Sequence, residues 1–220
     1  MRELNEKIRH IEMPPKMRRL PIDERGFPVP KFVPWLPGPD GVLKPEFRGF
    51  DPDHMKTCVR LKRCWLCGDP LGVHMTFVIG PMCAVNRNSA EPPCHHGCAE
   101  YSARACPFLS QPRAKRNDKD MPIEASDPAG IMIKRNPGVT LLWTTKSYRV
   151  MKTRQGPLFQ IGEPEEVRFF CQGRTATRDE IMLSIESGLP ILQDMAKQDG
   201  PDAEAELRQM IDRAMRLVPA

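Results

Sequence analysis

The chain has 220 residues, is 40% hydrophobic and carries a formal net charge of +5. That length supports one good core or two small ones, and no stretch approaches the roughly 20 apolar residues of a membrane span. The charge is concentrated at the front, where residues 1–63 hold 14 Lys/Arg against 9 Asp/Glu, while the remainder is nearly balanced. A basic front favours an acidic partner such as DNA or RNA, although a solvated basic surface reads the same way.

Met1–Lys7 mixes charges of both signs and no apolar run follows. No secretory signal is read there, so the chain is expected to be cytoplasmic. Thiols stay reduced in that compartment, and clustered cysteines more often bind metal than pair. There are eight: Cys58, Cys64, Cys67, Cys83, Cys94, Cys98, Cys106 and Cys171.

Residues 1–13 are expected to form a short amphipathic helix with Leu4, Ile8 and Ile11 on one side. Ten prolines then fall before residue 53, which forbids long helix and central strand. Residues 1–52 therefore read as a proline-rich arm. Its apolar side chains, among them Phe27, Phe32, Trp35, Phe47 and Phe50, are too many for a free linker and should pack on a folded body. Residues 53–63 read as one helix with a basic end. Lys56, Arg60, Lys62 and Arg63 on it are candidate phosphate contacts, as are Arg87, Arg113, Lys115 and Arg116 further along.

The stretch from Cys64 to Cys98 carries the chemistry. Cys64-Trp65-Leu66-Cys67-Gly68 is a Cys-x-x-Cys knuckle, whose spacing brings two sulfurs onto one ion on a tight turn. Residues 73–79 and 82–85 are apolar runs that suit a hairpin, broken by Gly80-Pro81. Cys94-His95-His96-Gly97-Cys98 follows Pro92-Pro93 at the expected start of a helix over 94–106. His95 and Cys98, three apart, share a face of that helix, and Cys94 with Cys98 is the competing pair. Knuckle, hairpin and helix in this order make a treble clef. Four protein ligands leave no open position for water, so the expected ion is one structural zinc per chain. The other cysteines lack partners at ligand spacing and read as core.

Treble clefs include the HNH endonucleases. His74, Asn88 and His96 occur in the order that such a site needs. Against it, Val73 stands where an Asp usually precedes the base, and Thr76-Phe77-Val78-Ile79 is apolar where a polar ligand turn is usual.

Residues 111–130 are polar and without period, and read as a linker or loop. In residues 131–220, Val139–Thr144, Ser147–Lys152, Pro157–Ile161 and Val167–Cys171 are strand-like and suggest a small antiparallel sheet. Thr177-Arg178-Asp179-Glu180 is a capping box that starts a helix to Gly188. Further helices are expected from Pro190 to about Lys197 and over 202–218.

Arg25-Gly26-Phe27-Pro28-Val29-Pro30, Cys64-Trp65-Leu66-Cys67-Gly68, Phe77-Val78-Ile79-Gly80-Pro81-Met82-Cys83 and the run from Glu91-Pro92-Pro93 to Cys106-Pro107-Phe108-Leu109 resemble a family of uncharacterised bacterial and phage-encoded proteins. The resemblance covers most of the chain. In that family the helix start tends to read Pro-Pro-Ser-His-x-x-Cys, which implies His95 and Cys98 as ligands and sets Cys94 aside. It also implies a mobile-element origin, and it implies no reaction or substrate.

The expectation is thus an α+β protein: a proline-rich arm (1–52), a treble-clef zinc module (53–110), a loop (111–130), and a small antiparallel sheet with C-terminal helices (131–220). The function expected is nucleic-acid binding of a regulatory or accessory kind. The alternatives are a protein-interaction factor directed at a host protein and a divergent HNH-like nuclease.

Overall fold

The structure, a computed structural model, describes residues 2–111, 129–130 and 136–219. The loop expected over 111–130 lies almost wholly outside them, as do Arg113, Lys115 and Arg116.

No helix forms over residues 2–13; the chain turns instead. Asn5 is the reason. Its Oδ1 accepts from the Lys7 N–H (3.1 Å), its Nδ2 donates to the Arg25 carbonyl (2.7 Å), and its own N–H donates to Gly26 (3.0 Å). Such local side-chain bonds compete with the helical ladder. Gly26 sits at φ +83°, and a Cβ there would lie 2.5 Å from Asn5 N, so only glycine allows this approach. Ile8 and Ile11 are buried all the same.

Residues 14–50 run irregularly over the body and bury Met17, Leu20, Val29 and Val33. A small ribbon, β1 (Trp35–Pro37) with β2 (Leu43–Pro45), projects from this segment. Helix α1 (Pro52–Leu61) begins where the Asp51 carboxylate accepts the N–H groups of Asp53 and His54, and ends at Lys62 in the left-handed region.

After the knuckle come β3 (Met75–Ile79), α2 (Pro81–Asn86), β4 (Asn88–Ser89), α3 (His96–Ala105) and α4 (Pro107–Ser110). The expected hairpin over 73–85 is therefore replaced by a strand and a helix. Gly80 and Pro81 explain this, because Pro at the first helical position has its φ preset for a helix and lacks only an N–H that would go unpaired there. What aligns α3 with β3 is a single bridge in which Thr76 and Cys94 exchange both backbone bonds (2.9 and 2.7 Å).

The rest of the chain supplies β5 (Thr140–Thr145), β6 (Tyr148–Thr153), β7 (Gly156–Ile161), β8 (Glu166–Cys171) and β9 (Arg174–Thr175), then α5 (Arg178–Glu186), α6 (Leu189–Asp199) and α7 (Pro201–Met215). The strands form two main antiparallel sheets, ordered β3-β5-β8-β9 and β4-β7-β6. Every residue of β5 is buried, as suits a strand covered on both faces. Strands β3 and β4 come from the cysteine-rich segment and the others from the C-terminal half. The two segments thus share both sheets, and one hydrophobic cluster runs from Ile8 to Leu192. No helix among the described residues is long and apolar enough to cross a membrane.

The capping box of α5 is formed, with Thr177 and Glu180 each bonded to the other's backbone. Arg174 adds two bonds to the Glu180 carboxylate, of 2.9 and 2.6 Å. Arg174 first, and the Thr177 N–H second, hold that carboxyl down to about 2, against an ordinary 4.5. The folded state prefers the ionised form, so its contribution is complete above about pH 4.5 and is lost as pH falls toward 2. Between those values the wild-type melting temperature should fall more steeply than that of Glu180→Gln. Parallel curves would show that the pair contributes nothing.

Candidate metal centre

The knuckle is built by backbone bonds. The Cys64 N–H donates to the Asp69 carbonyl (2.8 Å), the Gly68 N–H donates to Cys64 (2.9 Å), and Leu71 donates to Lys62 (2.9 Å). Gly68 takes φ +79°, which returns the chain without strain. The Trp65 N–H donates to Pro93 (3.2 Å), tying the knuckle to the segment that leads into α3. Trp65 itself faces the body. Phe32 stacks on it at 4.9 Å and 7°, His54 at 5.4 Å and 22°, and Phe50 tilts against it at 6.1 Å.

Opposite the knuckle, His95 is the N-cap residue of α3 and Cys98 lies in its first turn. The cap residue has extended backbone, so His95 and Cys98 are not on one helical face as the spacing suggests; the bend at the cap brings them together. The Sγ atoms of Cys64, Cys67 and Cys98 and a ring nitrogen of His95 all lie within 4.8 Å of one another. Cys94 is not in this group, and among the described residues no other group of His, Cys, Asp and Glu converges in this way.

The spacings fit an ion. With Zn–S about 2.3 Å and Zn–N about 2.0–2.1 Å, a tetrahedral site has S···N edges near 3.6 Å. Nδ1 of His95 is 3.4 Å from Cys67 Sγ and 3.9 Å from Cys98 Sγ. The far ring nitrogen, Nε2, is 2.9 Å from the Pro70 carbonyl and 2.9 Å from Lys16 Nζ. It can serve only one of them. A metal at Nδ1 leaves the proton on Nε2, which then donates to Pro70, the usual way a ligating imidazole is oriented. The His95 backbone N–H also points at Cys64 Sγ (3.5 Å).

By themselves the four groups compete for protons. Hydrogen bonds from Cys67, then Cys94 and Cys98, hold the Cys64 thiol far below its ordinary value. The bond to Cys64 pushes Cys98 up, and burial, then the same neighbour, pushes Cys94 up. His95 rises to about 10 through its bonds to Cys64 and Cys67. Close-set thiols and an imidazole thus contest the same protons, and a cation at their centre would end that contest by letting the thiols ionise against it. The donors are soft sulfur and imidazole, three of the four residues are buried, and no disulfide joins them. The cluster can hold a metal ion, and its Cys3His composition suits zinc.

The arm also touches the centre, which the sequence did not signal. Arg19 pairs with Asp69 at the knuckle, Lys31 N–H donates to Leu66 (2.8 Å), and Lys16 reaches His95. Cys58 lies outside the cluster, 3.4 Å from His54 Nε2, and burial pushes its thiol up to about 12.

The other sequence-selected residues have separate surroundings. His74 is exposed and its Nδ1 is 2.6 Å from Glu165 Oε2. Asn88 lies in β4 opposite Gln160, its Oδ1 buried with no partner. His96 meets Thr144 (3.4 Å), Arg168 (3.4 Å) and Glu100 (3.7 Å). Of the cations, Lys56 pairs with Asp53 at 2.8 Å. Arg63 donates to the Gly68 carbonyl at 3.3 Å. Arg87 is held by both oxygens of Glu163 at 2.5 Å and lies over Trp143. Arg60 and Lys62 are exposed and have no ion pair among the described residues.

Fold and centre define the class: a mixed α+β protein with small antiparallel sheets, C-terminal helices and one Cys3His cluster able to hold a metal. No family model, no curated protein and no solved structure matches the chain. Its function has to be read from its own residues.

Proposed function

We propose that Cys64, Cys67, His95 and Cys98 bind one structural zinc ion in a treble-clef-like arrangement, and that the protein is a nucleic-acid-binding accessory or regulatory factor of phage or mobile-element type. Zinc supplies no reaction here; with four protein ligands it is closed to substrate and fixes the start of α3 to the knuckle. The observation that carries the reading is the position of the exposed Arg60 and Lys62, which lead directly into the cluster with no ion pair among the described residues. Cations on a metal-fixed frame keep their spacing and suit phosphates. Arg63 and Arg87 are engaged within the protein and contribute less. Lys56 is shared with Asp53 in an exposed pair that a phosphate can open.

The test is binding of the zinc-loaded chain to a duplex oligonucleotide over a salt series. Affinity should fall steeply between about 50 and 200 mM salt, because each phosphate contact releases a counterion. Absence of binding at low salt would reject the reading.

One observation favours a second reading, a protein-interaction factor. Trp35, Val42, Leu43 and Phe47 are exposed together on and beside the β1–β2 ribbon. A stable protein partner recovered after nuclease treatment, and lost in Trp35→Ala/Leu43→Ala, would support it.

A further inference from the structure

We infer that the β6–β7 ribbon contacts nucleic acid alongside Arg60 and Lys62, by entering the major groove of duplex DNA. This deepens the nucleic-acid reading above and rests on it.

The charge of the ribbon is all of one sign. From Tyr148 to Gly162 there are three cations, Arg149, Lys152 and Arg154, and no acid. All three are exposed, and none has an ion pair among the described residues. The contrast with their neighbours is direct. Lys146, just before the ribbon, pairs with Glu165 at 2.5 Å, and Arg168, just after it, pairs with Glu100 at 2.8 Å. Cations placed to stabilise the fold here have been given acids. Those on the ribbon have not, and a polyanion is the partner that complements them.

The ribbon is also built to hold its shape. At its base Tyr148 and Phe159 turn inward, where Tyr148 meets the edge of Phe77 at 5.7 Å and lies 5.8 Å from Phe159. At its tip the Gly130 N–H donates to Gln155 Oε1 (3.0 Å). Among the described residues strand β6 is the outer strand of its sheet, with no strand paired to its other edge. Across the sheet Arg149 stands opposite Gln160, and Gln160 opposite Asn88. Residues directly opposite share a face, so the exposed Arg149 and Gln160 stand side by side as hydrogen-bonding side chains.

The form of nucleic acid follows from what the ribbon offers. Single strands are held largely by stacking bases on exposed aromatic rings. Neither aromatic residue of this ribbon is exposed, since Phe159 is fully buried and Tyr148 is packed between rings. A-form RNA has a major groove too narrow for side chains to read. The B-form major groove, about 12 Å wide, admits a two-stranded ribbon with phosphates on either side.

The experiment uses the full zinc-loaded chain and a fluorescent duplex of about 20 base pairs, titrated over a salt series. Arg149→Gln/Lys152→Gln/Arg154→Gln should weaken binding at least about tenfold at 0.1 M salt and make the log–log salt slope shallower by about 2 to 3. Arg149→Lys/Arg154→Lys should restore most of the affinity. Metal content and melting temperature confirm that each variant is folded; all three cations are exposed, so both should match the wild type. If wild type binds and the triple Gln variant binds equally, the ribbon assignment is wrong while the broader reading stands. Tighter binding to single-stranded DNA or to duplex RNA than to duplex DNA would overturn the groove assignment. No binding by wild type at 50 mM salt overturns the broader reading itself.

Discussion

Cys98→Ser is expected to lose the metal and most of the order around it, while Cys94→Ser keeps one metal per chain. The two cysteines are four residues apart and both almost fully buried, so exposure does not separate them. Their neighbours do. Cys98 Sγ belongs to the four-atom cluster, and Cys94 is placed by its backbone exchange with Thr76. In zinc-finger peptides a structural zinc is worth on the order of 10–16 kcal/mol of apparent binding free energy at neutral pH. That is as large as the whole stability of an ordinary domain, about 5–15 kcal/mol. Losing one of four ligands removes several of these, enough to melt the knuckle, α3 and the arm laid over them. The readout is metal per chain together with thermal melting. Retention of metal in Cys98→Ser and its loss in Cys94→Ser would exchange their roles.

Trp65→Ala should destabilise the metal-loaded protein by about 3–5 kcal/mol, the range for removing a fully packed large aromatic. Trp65 is 2% exposed and lies between Phe32 and His54. It is the place where the arm, α1 and the knuckle meet, so its loss should also free the arm. Limited proteolysis of Trp65→Ala is therefore expected to cut between residues 14 and 50 before any other described segment. Trp65→Phe should be far milder, below about 1.5 kcal/mol, for two reasons. It preserves an aromatic plane for the stack, and it removes an indole N–H that is buried with no partner. Equal losses for Ala and Phe would show that stacking is not what Trp65 contributes.

The cluster was legible because ligand spacing is a short-range property. Cys64 and Cys67 declare themselves within four residues, and the second pair stands where a helix must start after Pro92-Pro93. The choice between His95 and Cys94 was not legible from spacing, since it depends on the backbone bend at the cap of α3. The C-terminal strands and the capping box at Thr177 were visible from alternation and from one local motif. Two local misreadings had physical causes. Residues 2–13 have helical periodicity, but Asn5 spends its hydrogen bonds on Arg25 and Lys7. Residues 81–86 are as apolar as a strand, and Pro81 sets them into a helix instead. The partners of β3 and β4 lie more than 60 residues away in sequence, and nothing local names them. For the same reason Arg87, which looks free in the sequence, is engaged by Glu163.

The most direct measurement is a native mass spectrum of the intact chain, taken before and after treatment with a strong chelator. One zinc per chain is expected, and its removal should shift the ion envelope to the higher charge states of an opened molecule. A chain that carries no metal and yet shows the same compact envelope with and without chelator would contradict the account, leaving three reduced cysteines and a histidine where a zinc site is proposed.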